Sequence, residues 1–140
     1  MSKANNLVFD DGYKEFTINN DPARVIRFNP SDVAIVERLK KSQDALEALV
    51  QEFGENEPDD MAAALERLDN AIKKEIDTIF NQPVSGIVFG NQSPMSPVKG
   101  VPLFERFFDA VLPVIMEGVK EEKKLRQQRV SKYVKAAKGK

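Results

Sequence analysis

Residues 61–83 read MAAALERLDNAIKKEIDTIFNQP, and how this stretch is read decides the fold. Met61, Leu65, Leu68, Ile72, Ile76, Ile79 and Phe80 recur mostly at steps of three and four, the spacing that lines one face of an α-helix. Asn81-Gln82-Pro83 ends the run, because proline cannot supply the backbone donor that a helix interior needs. One strongly amphipathic helix therefore stands at the centre of the chain, and it needs partners to cover its apolar face.

The nearest partner lies upstream. Val33, Val36, Leu39, Leu46, Leu49, Val50 and Phe53 recur at roughly helical spacing, with Asn29-Pro30-Ser31-Asp32 in front and Gly54 behind. Asn29 reads as an N-cap, Pro30 as the first helical residue and Asp32 as an acid in the positive first turn, so the spacing predicts a helix over 30–53. Residues 55–58 are a short polar break, and helices of similar length joined this closely fold back as an antiparallel hairpin.

Further upstream, Asp10-Asp11-Gly12 and Asn19-Asn20-Asp21-Pro22 are turn sequences. They punctuate three short extended pieces: Leu7–Phe9, Tyr13–Ile18 and Arg24–Phe28. In the second, Lys14, Phe16 and Ile18 alternate with Glu15 and Thr17; in the third, Ile26 and Phe28 alternate with Val25 and Arg27. A small antiparallel β-meander over 7–28 fits, too small to stand without a helix to pack on.

Downstream, Val84–Phe89 is a short apolar piece, readable as a strand or as one turn of helix, and FGNQSPMSPVKG (residues 89–100) follows it as a Gly/Pro/Ser connector. Pro102 starts a third helix whose Phe104, Phe107, Phe108, Val111, Leu112, Ile115 and Val119 form a wide apolar stripe. Pro113 predicts a kink near 109–113, and Gly118 marks a second point of bending or termination. The extension beyond Val119 is dominated by charge, with fraying expected over 135–140.

The expected class is thus mainly α within α+β. A single domain over 1–134 comprises the β-meander (7–28), a helix pair (30–81), the connector (83–101) and a kinked third helix with its basic extension (102–134), followed by a flexible basic tail (135–140).

Composition narrows the chemistry. The 140 residues contain no Cys and no His, which removes thiol nucleophiles, imidazole bases, disulfides and the usual zinc ligand sets. The absence of an apolar leader at the N-terminus and of Cys points to a reducing, cytoplasmic setting. Glu105, Arg106, Asp109 and Glu117 interrupt the longest apolar run, so no membrane span is expected. The net charge of −1 conceals a polarity: residues 41–77 hold 11 acidic and 4 basic side chains (−7), whereas 117–140 hold 9 basic and 3 acidic (+6). An acidic surface and a basic tail can engage one another, a second subunit or another acidic partner.

Three motifs invite sharper readings. A phosphate loop needs Gly-Lys followed by a hydroxyl residue, but here the order is Lys99-Gly100, and Pro94 and Pro97 remove amide donors. Asp10-Asp11 and Asp59-Asp60 lack calcium-loop spacing, and solvation at a turn and at a helix start explains them without catalysis or a metal. The basic segment from Lys120, with Lys123, Lys124, Arg126, Arg129 and Lys132 and with Tyr133 as a stacking group, suits a small nucleic-acid-binding regulator. Glu121 and Glu122 interrupt that segment, which makes a solvated or partner-seeking tail the plainer reading. No catalytic residue, metal ligand or cofactor is assigned.

The stretches FTINNDPARVIRFNPSD, VERL, IFNQPVSGIVFGNQSP and GVPLFERFFDAVLPVI, taken in this order before a basic tail, resemble the tail assembly chaperones of long-tailed bacteriophages and prophages of Gram-positive hosts. The similarity spans most of the chain and carries no catalytic signature. It implies a helical, non-enzymatic protein of the infected bacterial cytoplasm that is absent from the mature virion. Its implied partners are the tape measure protein and the major tail tube protein. In many phages such a chaperone also has a longer, frameshifted form, with which the terminal Lys138-Gly139-Lys140 is compatible. Three long apolar stripes are much for one small core to cover, and any surplus would serve self-association or a client. Phe104, Phe107, Phe108 and Val111, with Ile87 and Phe89 beside them, are the candidate apolar contact surface; the core is the plainer place for this stripe.

Overall fold

The computed structural model describes residues 4–55 and 59–138. Among them the chain forms two short antiparallel hairpins and four helices: β1 (Lys14–Ile18), β2 (Asp21–Phe28), α1 (Val33–Glu55), α2 (Met61–Phe80), α3 (Ser85–Phe89), β3 (Pro97–Val98), β4 (Val101–Pro102) and α4 (Leu103–Lys138). The expected mainly helical α+β class holds.

Helix α2 has the predicted extent. The Asp60 carboxylate accepts the Ala63 N–H at 3.1 Å, and Asn81 closes the helix in left-handed conformation (φ 53°), its N–H turned back to the Asp77 and Thr78 carbonyls. Its buried face differs from the predicted stripe at the N-terminal end, where Ala64 is buried and Met61 and Leu65 are exposed. From Leu68 onward the pattern holds, and Ile72, Ile76 and Ile79 are each 0% exposed. Helix α1 runs antiparallel beside it. Arg38 Nε donates to the Ile79 carbonyl (2.8 Å) and Ser42 Oγ to Glu75 (3.0 Å), so the start of α1 meets the end of α2.

Helix α1 begins three residues later than predicted. Asn29 Oδ1 is taken by the Ser31 N–H and hydroxyl (2.9 and 2.8 Å), which puts Pro30 in a turn. Asp32 caps instead, its carboxylate accepting the Ala34 N–H at 2.9 Å and its carbonyl the Val36 N–H. At the other end the helix passes Gly54 and continues to Glu55; the rest of the predicted break, 56–58, lies outside the described residues.

The predicted three-piece meander is a two-stranded hairpin. Strands β1 and β2 pair through Phe16↔Ile26 and Lys14↔Phe28 around Asn19-Asn20, both at positive φ (51° and 61°). Leu7–Phe9 forms no strand. The side chains of Asp10 and Asp11 accept the N–H groups of Gly12 and Tyr13, and the Asp11 carbonyl is held by Asn29 Nδ2. The chain is thereby pinned at Gly12, while Leu7, Val8 and Phe9 stand 76–86% exposed.

One core cluster joins all the larger elements. Its aromatic spine runs from Phe16 to Phe28 (4.6 Å between ring centroids), on to Phe80 (5.1 Å), then to Phe107 (6.1 Å) and Phe89 (6.2 Å from Phe107). Hairpin, α2, α4 and α3 therefore meet along a single line of edge and stacked contacts.

Of residues 84–89, left open between strand and helix by the sequence, Ser85–Phe89 form the short helix α3. Arg24 of β2 fastens it, donating Nε to the Ile87 carbonyl (2.9 Å) and Nη2 to the Val88 carbonyl. The connector beyond it hides a feature absent from the sequence expectation. Lys99 and Gly100 both have positive φ (54° and 82°), making a tight two-residue turn between β3 and β4. Pro102 consequently belongs to β4, and α4 starts at Leu103. Helix α4 then runs 36 residues, about 54 Å at 1.5 Å per residue, unbroken across Pro113 and Gly118.

A candidate interaction surface on the fourth helix

The connector sets the direction of α4. Leu103 N–H donates to the Ser96 carbonyl and Phe104 N–H to the Pro94 carbonyl, each at 2.9 Å. Two of the donors that a helix start leaves unpaired are thus consumed within the chain rather than offered to a phosphate. Arg106 adds two bonds to the Val98 carbonyl, at 3.0 Å from Nε and 2.6 Å from Nη2, and clamps the small hairpin against the first turn of α4.

From that start the helix has two different halves. In the first, Phe104, Phe108, Val111 and Ile115 point into the core and are buried. Of the six candidate apolar contact residues, Phe89, Phe104, Phe108 and Val111 are core, and Ile87 and Phe107 are partly buried against it. The Phe-rich stripe therefore packs largely within the chain's own interior.

The body ends near Gly118. A Cβ placed on Gly118 would lie 2.9 Å from Pro30 Cβ and 3.0 Å from the Pro30 carbonyl carbon and oxygen, so α4 packs directly against the β2–α1 turn there. Gly118 marks a close contact rather than a termination. Beyond Val119 the helix leaves the body: Lys120–Lys132 are all exposed, including Lys123, Lys124, Arg126, Arg129 and Lys132. Residues 119–138 contain no Gly or Pro and are rich in Lys, Glu, Arg and Gln, good helix formers, and the helix extends through Lys138. Residues 139–140, and the side chains of Tyr133 and of 136–138, lie outside what the structure describes.

The five basic candidates do not form one stripe. Steps of one, two, three and three residues distribute them round the helix, whereas Lys123, Arg126, Val130 and Val134 share a face. Met116, Leu125, Val130 and Val134 are exposed apolar side chains on the same helix. A second exposed apolar element is Leu7-Val8-Phe9. Neither surplus belongs to the predicted contact surface; the signal for both was an apolar residue that no helical stripe had absorbed.

No family model, curated protein or solved structure matches this chain.

Among the described residues no group of three or more carboxylates is placed to hold a metal ion, and no helix is long and apolar enough to cross a membrane. Asp10, Asp11 and Asp60 have structural employment as acceptors for turn and helix-start amides.

A groove does open between α1 and α4, with a volume of about 440 Å³. Leu46, Phe104 and Phe108 floor it, Val50 and Leu112 form its sides, and the exposed carboxylates of Glu47, Glu105 and Asp109 stand at its rim.

Proposed function

We propose that this chain is a non-enzymatic assembly chaperone of the phage-tail kind, which binds the tape measure protein and the tail tube subunit during tail morphogenesis. It would act in the cytoplasm of the bacterial host and depart before the virion is complete. The observation that carries this reading is the helical extension of α4 beyond Val119, exposed from Lys120 to Lys135 at every residue whose burial is described, about 24 Å of helix projecting from the packed body. A lone helix of this length is marginal in water and gains most of its stability from a partner surface.

The client in this reading is long, helical and aggregation-prone, and it must be released when the tube forms. The contacts offered by α4 suit such a client, because a few exposed apolar side chains set among many charges give weak, reversible and salt-sensitive association. The sequence resemblance to tail assembly chaperones supplies the identity of the client. Co-expression with the tape measure protein tests the reading. Higher soluble yield and co-purification are expected, whereas an unchanged yield with no co-purification would count against it.

The second reading, a nucleic-acid-binding regulator, draws on the exposed cations of the same helix. It demands tight retention of DNA or RNA, with log affinity falling linearly as log salt rises. Their distribution round the helix, interrupted by Glu121 and Glu122, weakens it.

A further inference from the structure

We propose that the groove between α1 and α4 is the docking site for the C-terminal part of α4 from a second copy of this chain. The floor of the groove is apolar and its rim carries Glu47, Glu105 and Asp109, with Gln43 and Gln51 at the α1 edge. The lining residues recur along α1 and along α4 over about two helical turns each, so the groove matches a short length of helix lying in it.

The chain itself supplies a ligand of complementary chemistry. On the α4 extension, Lys123, Arg126, Val130 and Val134 lie on one face, and all four are exposed. Val130 and Val134 would meet the apolar floor, while Lys123 and Arg126 would meet the carboxylates of the rim. Charge is complementary on the larger scale too, +6 over 117–140 against −7 over 41–77, which contains the α1 wall.

The occupant must come from another copy. Phe104, Glu105, Phe108, Asp109 and Leu112 of α4 line the groove, and α4 continues from there without a break through Gly118 to Lys138. A helix cannot fold back onto its own flank without breaking, and Gly118 is held against Pro30. Reciprocal exchange of extensions closes a two-fold dimer, whereas one-way docking gives an open series of copies. This inference does not rest on the chaperone reading, since it concerns the chain alone.

The test is sedimentation velocity of the full-length protein without any client, over a range of concentration and at low and high salt. Self-association is expected at low salt and should weaken at least tenfold between about 50 and 500 mM salt, as screening shortens the reach of the rim charges. Glu47→Lys with Asp109→Lys should weaken it at least tenfold, and so should Lys123→Glu with Arg126→Glu. Mixing the two variants should restore association between them, because reversed rim and reversed tail are again opposite in charge. All four positions are exposed, so the variants should keep the circular dichroism spectrum and thermal midpoint of the parent. A monomer at every concentration, association indifferent to both reversals, or no rescue on mixing would overturn the proposal.

Discussion

Gly118 of α4 lies directly against Pro30 of the β2–α1 turn, with no room for a methyl group between them: a Cβ on Gly118 would stand 2.9 Å from Pro30 Cβ. The contact divides α4 into a half that belongs to the core and a half that leaves it. Gly118→Ala adds that methyl group at a helical position where alanine is otherwise favoured by about 1 kcal/mol. Because backbone atoms of Pro30 are among those crowded, overpacking should prevail, with a net loss of about 1–3 kcal/mol in urea unfolding. Gly86→Ala in α3, where the added Cβ meets nothing within 4 Å, should be neutral or stabilising by up to about 1 kcal/mol. A gain in stability for Gly118→Ala would mean that α4 does not rest on Pro30.

The turn at Lys99-Gly100 positions the start of α4 and can be tuned from either side. Gly100 has φ of 82°, so Gly100→Ala should cost about 1–2 kcal/mol. Lys99→Asn creates the Asn-Gly pair preferred at the two central positions of such a turn and should stabilise by about 0.5–1 kcal/mol. Opposite signs for the two substitutions, measured by thermal and denaturant midpoints, are the expected outcome. A Gly100→Ala variant as stable as the parent would argue against the two-residue turn.

Helix α2 offers a graded test of which apolar residues hold the fold. Ile72→Ala, at a fully buried position, should cost about 2–5 kcal/mol through lost burial and the cavity left behind. Leu65→Ala should stay within about 1 kcal/mol, since Leu65 is 42% exposed although it falls on the sequence-predicted stripe. Comparable losses at the two positions would contradict the observed orientation of the first turns of α2.

How far the fold could be read from the sequence follows from the range of the interactions concerned. The α2 pattern, the Asn81 stop and the alternation of β2 are local, and each was legible. The true cap of α1 was not, because Asn29 and Asp32 offer the same acceptor chemistry and only the Ser31 contacts to Asn29 decide between them. The β3–β4 hairpin has strands of two residues each, too short to show a period. Whether Phe104 and Phe108 face a partner or the core depends on how closely α1 and α4 approach, a relation between residues some 60 apart that no single stripe contains. The same distance hid the acidic groove, although the charge polarity that motivates its occupant was visible from composition.

The exposed extension makes a prediction about dynamics. Amides of 120–138 should exchange with solvent orders of magnitude faster than those of Ile72, Ile76 and Ile79, whose opening requires loss of the core. At concentrations where copies associate, the extension should become protected while the core pattern stays the same. Exchange measured by mass spectrometry at two protein concentrations checks this, and a concentration-independent pattern would speak against docking of the extension.

The most direct measurement of the functional account is the soluble fraction of the tape measure protein when it is co-expressed with this chain, compared with its expression alone. A chaperone of tail assembly should raise that fraction several-fold and co-purify with its client in a complex that dissociates at high salt. A tape measure protein that stays equally insoluble, with this chain purifying alone at low salt, would contradict the account.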